Sequence, residues 1–210
     1  MKTVEVHTRC VPLDVSAETI AGLYATLSPD ERERSARFRF ARDRQRFIAA
    51  RGALRALLGR YLGTRPGEIR FAYNAFGKPA LTPEFGGQLQ FNLSHSGDLA
   101  LIASTTDAEV GVDLECIRPD ADYGEIARSV FSAAEVEQLN SVPSHLYSLA
   151  FLSCWTRKEA SLKARGEGLA GLDLDGTTTD ALTFQPAAGY VASVAVQGRT
   201  EYRIEQPSLR

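Results

Sequence analysis

The stretches LSPDERER (27–34) and FSAAEVEQL (131–139) open helices in the same way, and a similar succession of elements follows each. Ser28 and Ser132 are placed to accept from the first-turn N–H groups. Glu31 and Glu135, three residues on, can return a carboxylate to the cap, which makes two capping boxes. Pro29 suits the first helical position and puts the helix start near residue 29. Phe131 and Val136 have the spacing of a hydrophobic staple. A long helix comes next in both halves. In DRQRFIAARGALRALLGRYLG, Phe47, Leu54, Leu58 and Leu62 fall at helical spacing and Gly63 stops the run; LYSLAFLSCWTRKEASLKARGEG ends at Gly166 and Gly168. FIAARGALRALL from Phe47 can be laid on FLSCWTRKEASL from Phe151. Two similar halves meeting face to face would create a cleft between them, although two unrelated amphipathic helices would leave the same trace.

Strand signals fill the gaps. EIRFAYNAFGKPAL reads as strand, turn and strand, and LQFNLSHSGDLALIAST as two strands about a polar turn. EVGVDLE is a further strand, and YVASVAVQG and TEYRIEQ alternate in strand fashion near the end. Strands and helices mix without regular βαβ alternation, so the fold class is α+β. At 210 residues the chain suits one generous domain or two small ones closely packed.

The charge is unevenly divided. Residues 1–105 hold 15 Lys and Arg against 10 Asp and Glu, and residues 106–210 hold 9 against 16. A site between the halves could draw phosphate-binding cations from the first and metal-binding carboxylates from the second, while a chance imbalance on two solvated surfaces gives the same counts. No apolar run approaches the roughly 18 residues of a membrane span, and the start lacks the pattern of a secretory leader, so a cytoplasmic protein is expected, with no membrane partner. Three scattered cysteines, Cys10, Cys116 and Cys154, point neither to a disulfide framework nor to zinc.

GVDLE (111–115) raises the chemical question. Strand alternation puts Asp113 and Glu115 on one face and Val112 and Leu114 on the other, and two adjacent like charges require a cation or water. In WTRKEASLK, Trp155, Glu159 and Lys163 share a helix face at i, i+4 and i+8; the spacing of Glu159 and Lys163 is also that of an ordinary surface pair, against which Trp155 argues for packing. If Glu159 approaches Asp113 and Glu115, the three carboxylates offer the oxygen ligands that suit Mg²⁺ beside a phosphate. Only four lysines stand among 20 arginines, and Lys78, Lys158 and Lys163 fall in FGKP and RKEASLK. His95, between Ser94 and Ser96 in NLSHSG, sits in a turn able to hold an anion or serving simply as a turn. The seven arginines from Arg32 to Arg46 invite a nucleic-acid reading, but nearby acids, a pI of about 6.0 and the absence of a nucleic-acid motif favour a solvated helix that keeps one or two arginines for a phosphate.

In this order and at these intervals, FGKP, FNLSHSG, GVDLE, FSAAE and WTRKEASLKARGEGL resemble the Sfp-type 4′-phosphopantetheinyl transferases over about residues 28–170. The resemblance implies a holo-acyl-carrier-protein synthase type of transfer. The 4′-phosphopantetheine arm of coenzyme A passes to a serine of an apo acyl or peptidyl carrier protein, 3′,5′-ADP leaves, and Mg²⁺ is required. It also implies a monomer of two similar α/β subdomains in tandem, a pseudo-dimer with coenzyme A in the cleft. Residues 1–105 would bind the nucleotide end, and residues 106–210 would supply metal binding and catalysis. By position, Asp113, Glu115 and Glu159 are the implied metal ligands. Gly77, Lys78 and Pro79 of the FGKP loop, with Ser94 and His95, are implied at the nucleotide end, Arg34 at the 3′-phosphate, and Lys158 and Lys163 at the pyrophosphate. Glu31 stands where some members carry a second basic residue for the 3′-phosphate, so Arg32 or another arginine would have to replace it.

Glu159, directly or through water, is the expected base for the carrier serine, with Lys163 stabilising the leaving side. Carrier docking is expected near FSAAEVEQL through Phe131, Val136 and Leu139. Fatty-acid, polyketide and non-ribosomal peptide carriers all remain open, and the last 40 residues match no motif. A Mg²⁺-dependent nucleotide phosphohydrolase would use the same carboxylates and lysines on water, and an inactive carrier-binding module would keep the shape without the chemistry.

Overall fold

The computed structural model describes residues 3–106, 108–118, 121–168, 181–199 and 201–205. Both long helices form where their spacing predicts, α3 over Ala41–Leu62 and α6 over Ser144–Arg165, at 22 residues each. Each stops at a glycine in the left-handed region, Gly63 at φ 63° and Gly166 at φ 71°. The short helices before them, α2 (Pro29–Ala36) and α5 (Ala133–Asn140), both carry the capping box. Its return bond runs from Ser28 N to Glu31 Oε2 at 3.0 Å and from Ser132 N to Glu135 Oε2 at 2.8 Å. Two further helices, α1 (Ala17–Ala25) and α4 (Gly124–Val130), were not anticipated; α1 is capped by Ser16, whose hydroxyl accepts from Thr19 N at 3.2 Å.

Two sheets lie between the long helices. In the first, β4 (Gln90–Ser96), β5 (Leu99–Thr105), β1 (Val4–Pro12) and β9 (Tyr202–Glu205) follow in that order. β5 runs antiparallel to both of its neighbours, β4 and β1, whereas β9 returns from the far end of the chain and pairs parallel to β1, Val4 opposite Tyr202. The second sheet runs β6 (Val110–Cys116), β8 (Tyr190–Val196), β7 (Ala181–Phe184), with Asp113 opposite Ser193. β2 (Phe71–Tyr73) and β3 (Pro79–Leu81) make a separate hairpin. β1 and β7 are strands the sequence reading left unassigned.

Strand alternation explains the layering. Val4 and Val6 on β1 and Leu101 and Ala103 on β5 meet Val110, Val112 and Leu114 on β6 and Val194 and Val196 on β8 in one buried cluster between the sheets. The opposite parity of β5 faces outward, where Ile102 packs with Leu54 and Leu58 of α3 and Ala100 with Ala49 and Ala50. A fully buried Leu of this kind contributes about 1.5–3 kcal/mol. The opposite parity of β6 is Gly111, Asp113 and Glu115, and it turns toward α6. At Gly111 a Cβ would collide with the Ala160 carbonyl and the Ala164 amide nitrogen, so helix backbone lies directly on strand backbone. Small residues continue this contact, since Ala160 and Ala164 cluster with Ala181 and Ala195. That close approach brings the Glu159 and Lys163 turn of α6 over the carboxylates of β6.

Among the described residues, no helix is long and apolar enough to cross a membrane.

Candidate active site

Three elements converge at the edge where the two sheets meet. β6 presents Asp113, which is buried, and Glu115, which is partly so. α6 presents Glu159 and Lys163, one turn apart on the face toward β6. β4 runs alongside β6, although the two belong to different sheets, and side chains take the place of a backbone ladder. Val112 N donates to Asn92 Oδ1 at 2.9 Å, Ser94 Oγ to Asp113 Oδ1 at 2.9 Å, Ser96 Oγ to Glu115 Oε2 at 2.8 Å, and Cys116 N to Ser96 Oγ at 3.1 Å. The alternation of Asn92, Ser94 and Ser96 is strand parity at work, every second residue facing the neighbour.

Lys163 is the hub. Its Nζ lies 2.6 Å from Asp113 Oδ1, 3.2 Å from Ser94 Oγ and 4.0 Å from Glu159 Oε2, so Asp113 and Glu159 flank one ammonium. Asp113 Oδ2 is buried and has no hydrogen-bond partner, the kind of group that carries a real desolvation penalty. Burial raises the Glu159 pKa above its usual value; Lys163 opposes that, and the charges of Asp113 and Glu115 add to it. Glu115 is raised likewise, by burial first, against the hydrogen bond from Ser96 and with the repulsion of Asp113. Burial leads in both cases, and like charges held close together add to it against the one cation among them.

The other sequence-derived residues distribute more widely. His95 follows strand parity onto the face away from β6 and is exposed by surface area, yet enough protein surrounds the ring that burial, then Lys163 and Arg46, lowers its pKa. Lys78 does not approach the carboxylates of β6. Its Nζ pairs with Glu109 Oε2 at 2.6 Å and donates to the carbonyls of Val110 at 3.3 Å and Ala164 at 3.4 Å. Gly77, at φ 81°, makes the turn before it, Pro79 opens β3, and Asn74 Nδ2 fastens the loop to the Gly166 carbonyl at 2.8 Å. The FGKP loop therefore sits on the C-terminal end of α6. Arg34 is exposed on α2, its guanidinium 5.4 Å from the centre of the Phe47 ring.

Lys158 departs from expectation. It is 1% exposed, paired with Glu135 Oε2 at 2.8 Å, and 5.3 Å from the centre of the Phe131 ring. It does not face the Lys163 side, because five residues of helix rotate a side chain by roughly 140° from its predecessor. Glu135 thus receives both the α5 cap and a buried lysine. Lys158→Met is expected to lower stability by about 1–3 kcal/mol by stripping that carboxylate of its cation, read as a lower midpoint in urea unfolding. Glu31 also departs from expectation: it is 2% exposed and held by Arg51 Nε at 2.8 Å and Arg55 Nε at 2.6 Å, an internal anchor and not a gap in a phosphate pocket. Phe131 and Leu139 are core residues that pack with Phe151 and Leu152, which leaves Ile126 and Leu146 as the exposed apolar side chains of that region.

Asn92 and Ser96 are site residues the sequence reading missed. Their signal was present in N-L-S-H-S, where three polar residues at a period of two announce one polar strand face.

The donor set suits a hard cation. Carboxylate oxygens are the ligands such ions take, and one of them is orphaned. Among the described residues no three Asp, Glu, His or Cys side chains are already drawn together as a metal cluster. Lys163 occupies the centre of the group. Carboxylates, an ammonium and hydroxyls contributed by both halves can hold a polyanion through a cation and withdraw a proton from a nearby hydroxyl.

Comparison with known proteins adds the following. The family model of the 4′-phosphopantetheinyl transferase superfamily matches residues 109–202, and that of 4′-phosphopantetheinyl transferase, N-terminal, matches residues 14–107. The chain is 42% identical over 209 residues to the 4′-phosphopantetheinyl transferase HetI of Nostoc sp., covering 92% of this chain and 88% of that protein. It is 42% identical over 123 residues to AcpT of Escherichia coli strain K12, covering 59% of this chain and 58% of that protein. With psf-1 of Bacillus pumilus the figures are 34% over 163 residues, 76% and 67%.

Proposed function

The chain belongs to the 4′-phosphopantetheinyl transferase superfamily, and from that premise we propose that it moves the 4′-phosphopantetheine arm of coenzyme A to a serine of an acyl or peptidyl carrier protein, releasing 3′,5′-ADP with Mg²⁺ as its metal. The observation that carries this reading is the flanking of Lys163 by Asp113 and Glu159, with Glu115 two residues along the same strand face and Ser94 and Ser96 reaching in from the other half.

Asp113, Glu115 and Glu159 would hold Mg²⁺. Asp113 Oδ1 already accepts from Ser94 and Lys163, and the unpartnered Oδ2 is the atom a cation would satisfy. Bound there, Mg²⁺ supplies neutralisation of the diphosphate charge. Glu159 takes the proton of the carrier serine, directly or through water. The serine oxygen then forms a bond to the phosphorus bearing the pantetheine arm. The bond from that phosphorus to the nucleotide phosphate breaks, and Lys163 faces the charge that grows there. A serine hydroxyl is a weak nucleophile at neutral pH, so position and charge neutralisation must supply most of the acceleration.

In this reading residues 1–105 hold the nucleotide end of coenzyme A, with Arg34 at the 3′-phosphate and the 77–79 loop, Ser94 and His95 nearby. Residues 106–210 bring the metal and the base, and one copy of the chain suffices. Mass spectrometry of apo carrier proteins after incubation with coenzyme A and Mg²⁺ tests it. The expected result is addition of the arm to one serine, absent in EDTA. Steady hydrolysis of coenzyme A without carrier, and no modified serine, would refute the transfer.

A further inference from the structure

We propose that Ser96 is a positioning residue whose hydroxyl fixes the Glu115 carboxylate in the attitude the site needs to take up its divalent cation. The inference rests on the reading that Glu115 is one of the ligands.

Ser96 Oγ donates to Glu115 Oε2 at 2.8 Å while accepting from Cys116 N at 3.1 Å. A hydroxyl has one proton, and with a backbone donor on its acceptor side that proton is directed to the carboxylate. The bond engages one oxygen of Glu115, so the side chain is oriented and its second oxygen is left to a ligand. Without it, repulsion from Asp113 and Glu159 would turn Glu115 away from the group it is meant to join.

Ser96 is itself held from both halves of the molecule. It ends β4 at the tip of the β4–β5 hairpin, where Gly97 adopts φ 57°. Asp98, next in line, accepts from Arg42 and Arg46 of α3, and its amide donates to the Tyr190 hydroxyl on β8 at 3.2 Å. The Tyr190 hydroxyl lies against Gly97, where a Cβ would meet it at 2.9 Å. The donor to Glu115 is thus preorganised by contacts that do not touch the carboxylates. Its role is separate from that of Ser94, which shares Asp113 Oδ1 with Lys163.

Calorimetry of the full chain with coenzyme A, in Mg²⁺ and again in EDTA, tests this. In Ser96→Ala the gain in affinity that Mg²⁺ confers is expected to fall about 10–100-fold, while affinity in EDTA stays within about twofold. Ser96→Thr keeps the hydroxyl and is expected to restore most of the gain. Ser96→Val, its isostere without the hydroxyl, should lose it as alanine does and provides the comparison if the alanine variant fails to fold. A Ser96→Ala or Ser96→Val protein with the full Mg²⁺-dependent gain would overturn the proposal, as would a threonine variant no better than valine. Were the wild-type protein to gain nothing from Mg²⁺, the cation reading of the whole site would fall and this inference with it; a wild type that responds beside a variant that responds equally removes the inference alone.

Discussion

Glu159→Gln is expected to lower carrier modification by about 10²–10⁴-fold, the range for loss of a positioned general base, while the protein folds and melts at a higher temperature than the wild type near neutral pH in EDTA. The two outcomes have one cause. Glu159 is crowded by Asp113 and Glu115 in a partly buried setting, and burial is the largest reason its pKa lies above the usual 4.5. A carboxyl whose pKa is higher in the folded than in the unfolded protein contributes stability that is fully present below the unfolded value. That contribution is lost as pH rises through the folded value. At neutral pH the metal-free protein therefore bears an unfavourable charge, which glutamine removes. The gain in melting temperature should shrink on acidification, because the wild-type carboxyl becomes neutral too. Wild-type transfer by the glutamine variant, or a lower melting temperature at neutral pH, would contradict the assignment. Stability given up at a site for the sake of chemistry is a common exchange.

Glu31→Ala should produce the largest loss of stability. It would leave two guanidiniums, one of them only 1% exposed, without the carboxylate they share. Arg55 also donates to the carbonyls of Pro66 and Ile69 at 2.8 and 2.9 Å and cannot swing out to water without abandoning them. Removing one partner of a buried ion pair costs about 3–5 kcal/mol. For a chain of this size about 2–4 °C of melting temperature goes with each kcal/mol, so a fall of roughly 6–20 °C is expected in a thermal scan. The return bond of the α2 capping box is lost as well, because the same Oε2 accepts from Ser28 N. A change of only a degree or two would mean that the arginines find other partners.

Local signals carried most of the fold. The capping boxes, the left-handed glycines and the apolar spacing of α3 and α6 are properties of a few consecutive residues, and they form as the sequence indicates. The shared face of Asp113 and Glu115 follows from strand alternation alone, and the pairing of Glu159 with Lys163 from helical geometry. What escaped was non-local. β1 alternates Val4, Val6 and Thr8 inward, yet its partners β5 and β9 are distant in sequence and nothing nearby announces the strand. The alternation of Asn92, Ser94 and Ser96 announces a polar strand face, but what that face meets is set by β6, which follows only after β5. Glu31 reads correctly as a cap, but its burial depends on two arginines of α3 that reach back across more than a helix. Lys158 differs: its rotation away from Lys163 was legible in the helical period, and proximity in sequence obscured it.

The parallel pairing of β1 with β9 bears on how the molecule is made. Val4 through His7 find their partners at Tyr202 through Glu205, so a ribosome must deliver nearly two hundred further residues before that edge of the first sheet can close. Until then the outer edge of β1 is open to any other strand. Such long-separation pairing slows folding and leaves nascent chains prone to mispairing. The nascent first half must wait, with an uncovered seam, for a strand that emerges after α6.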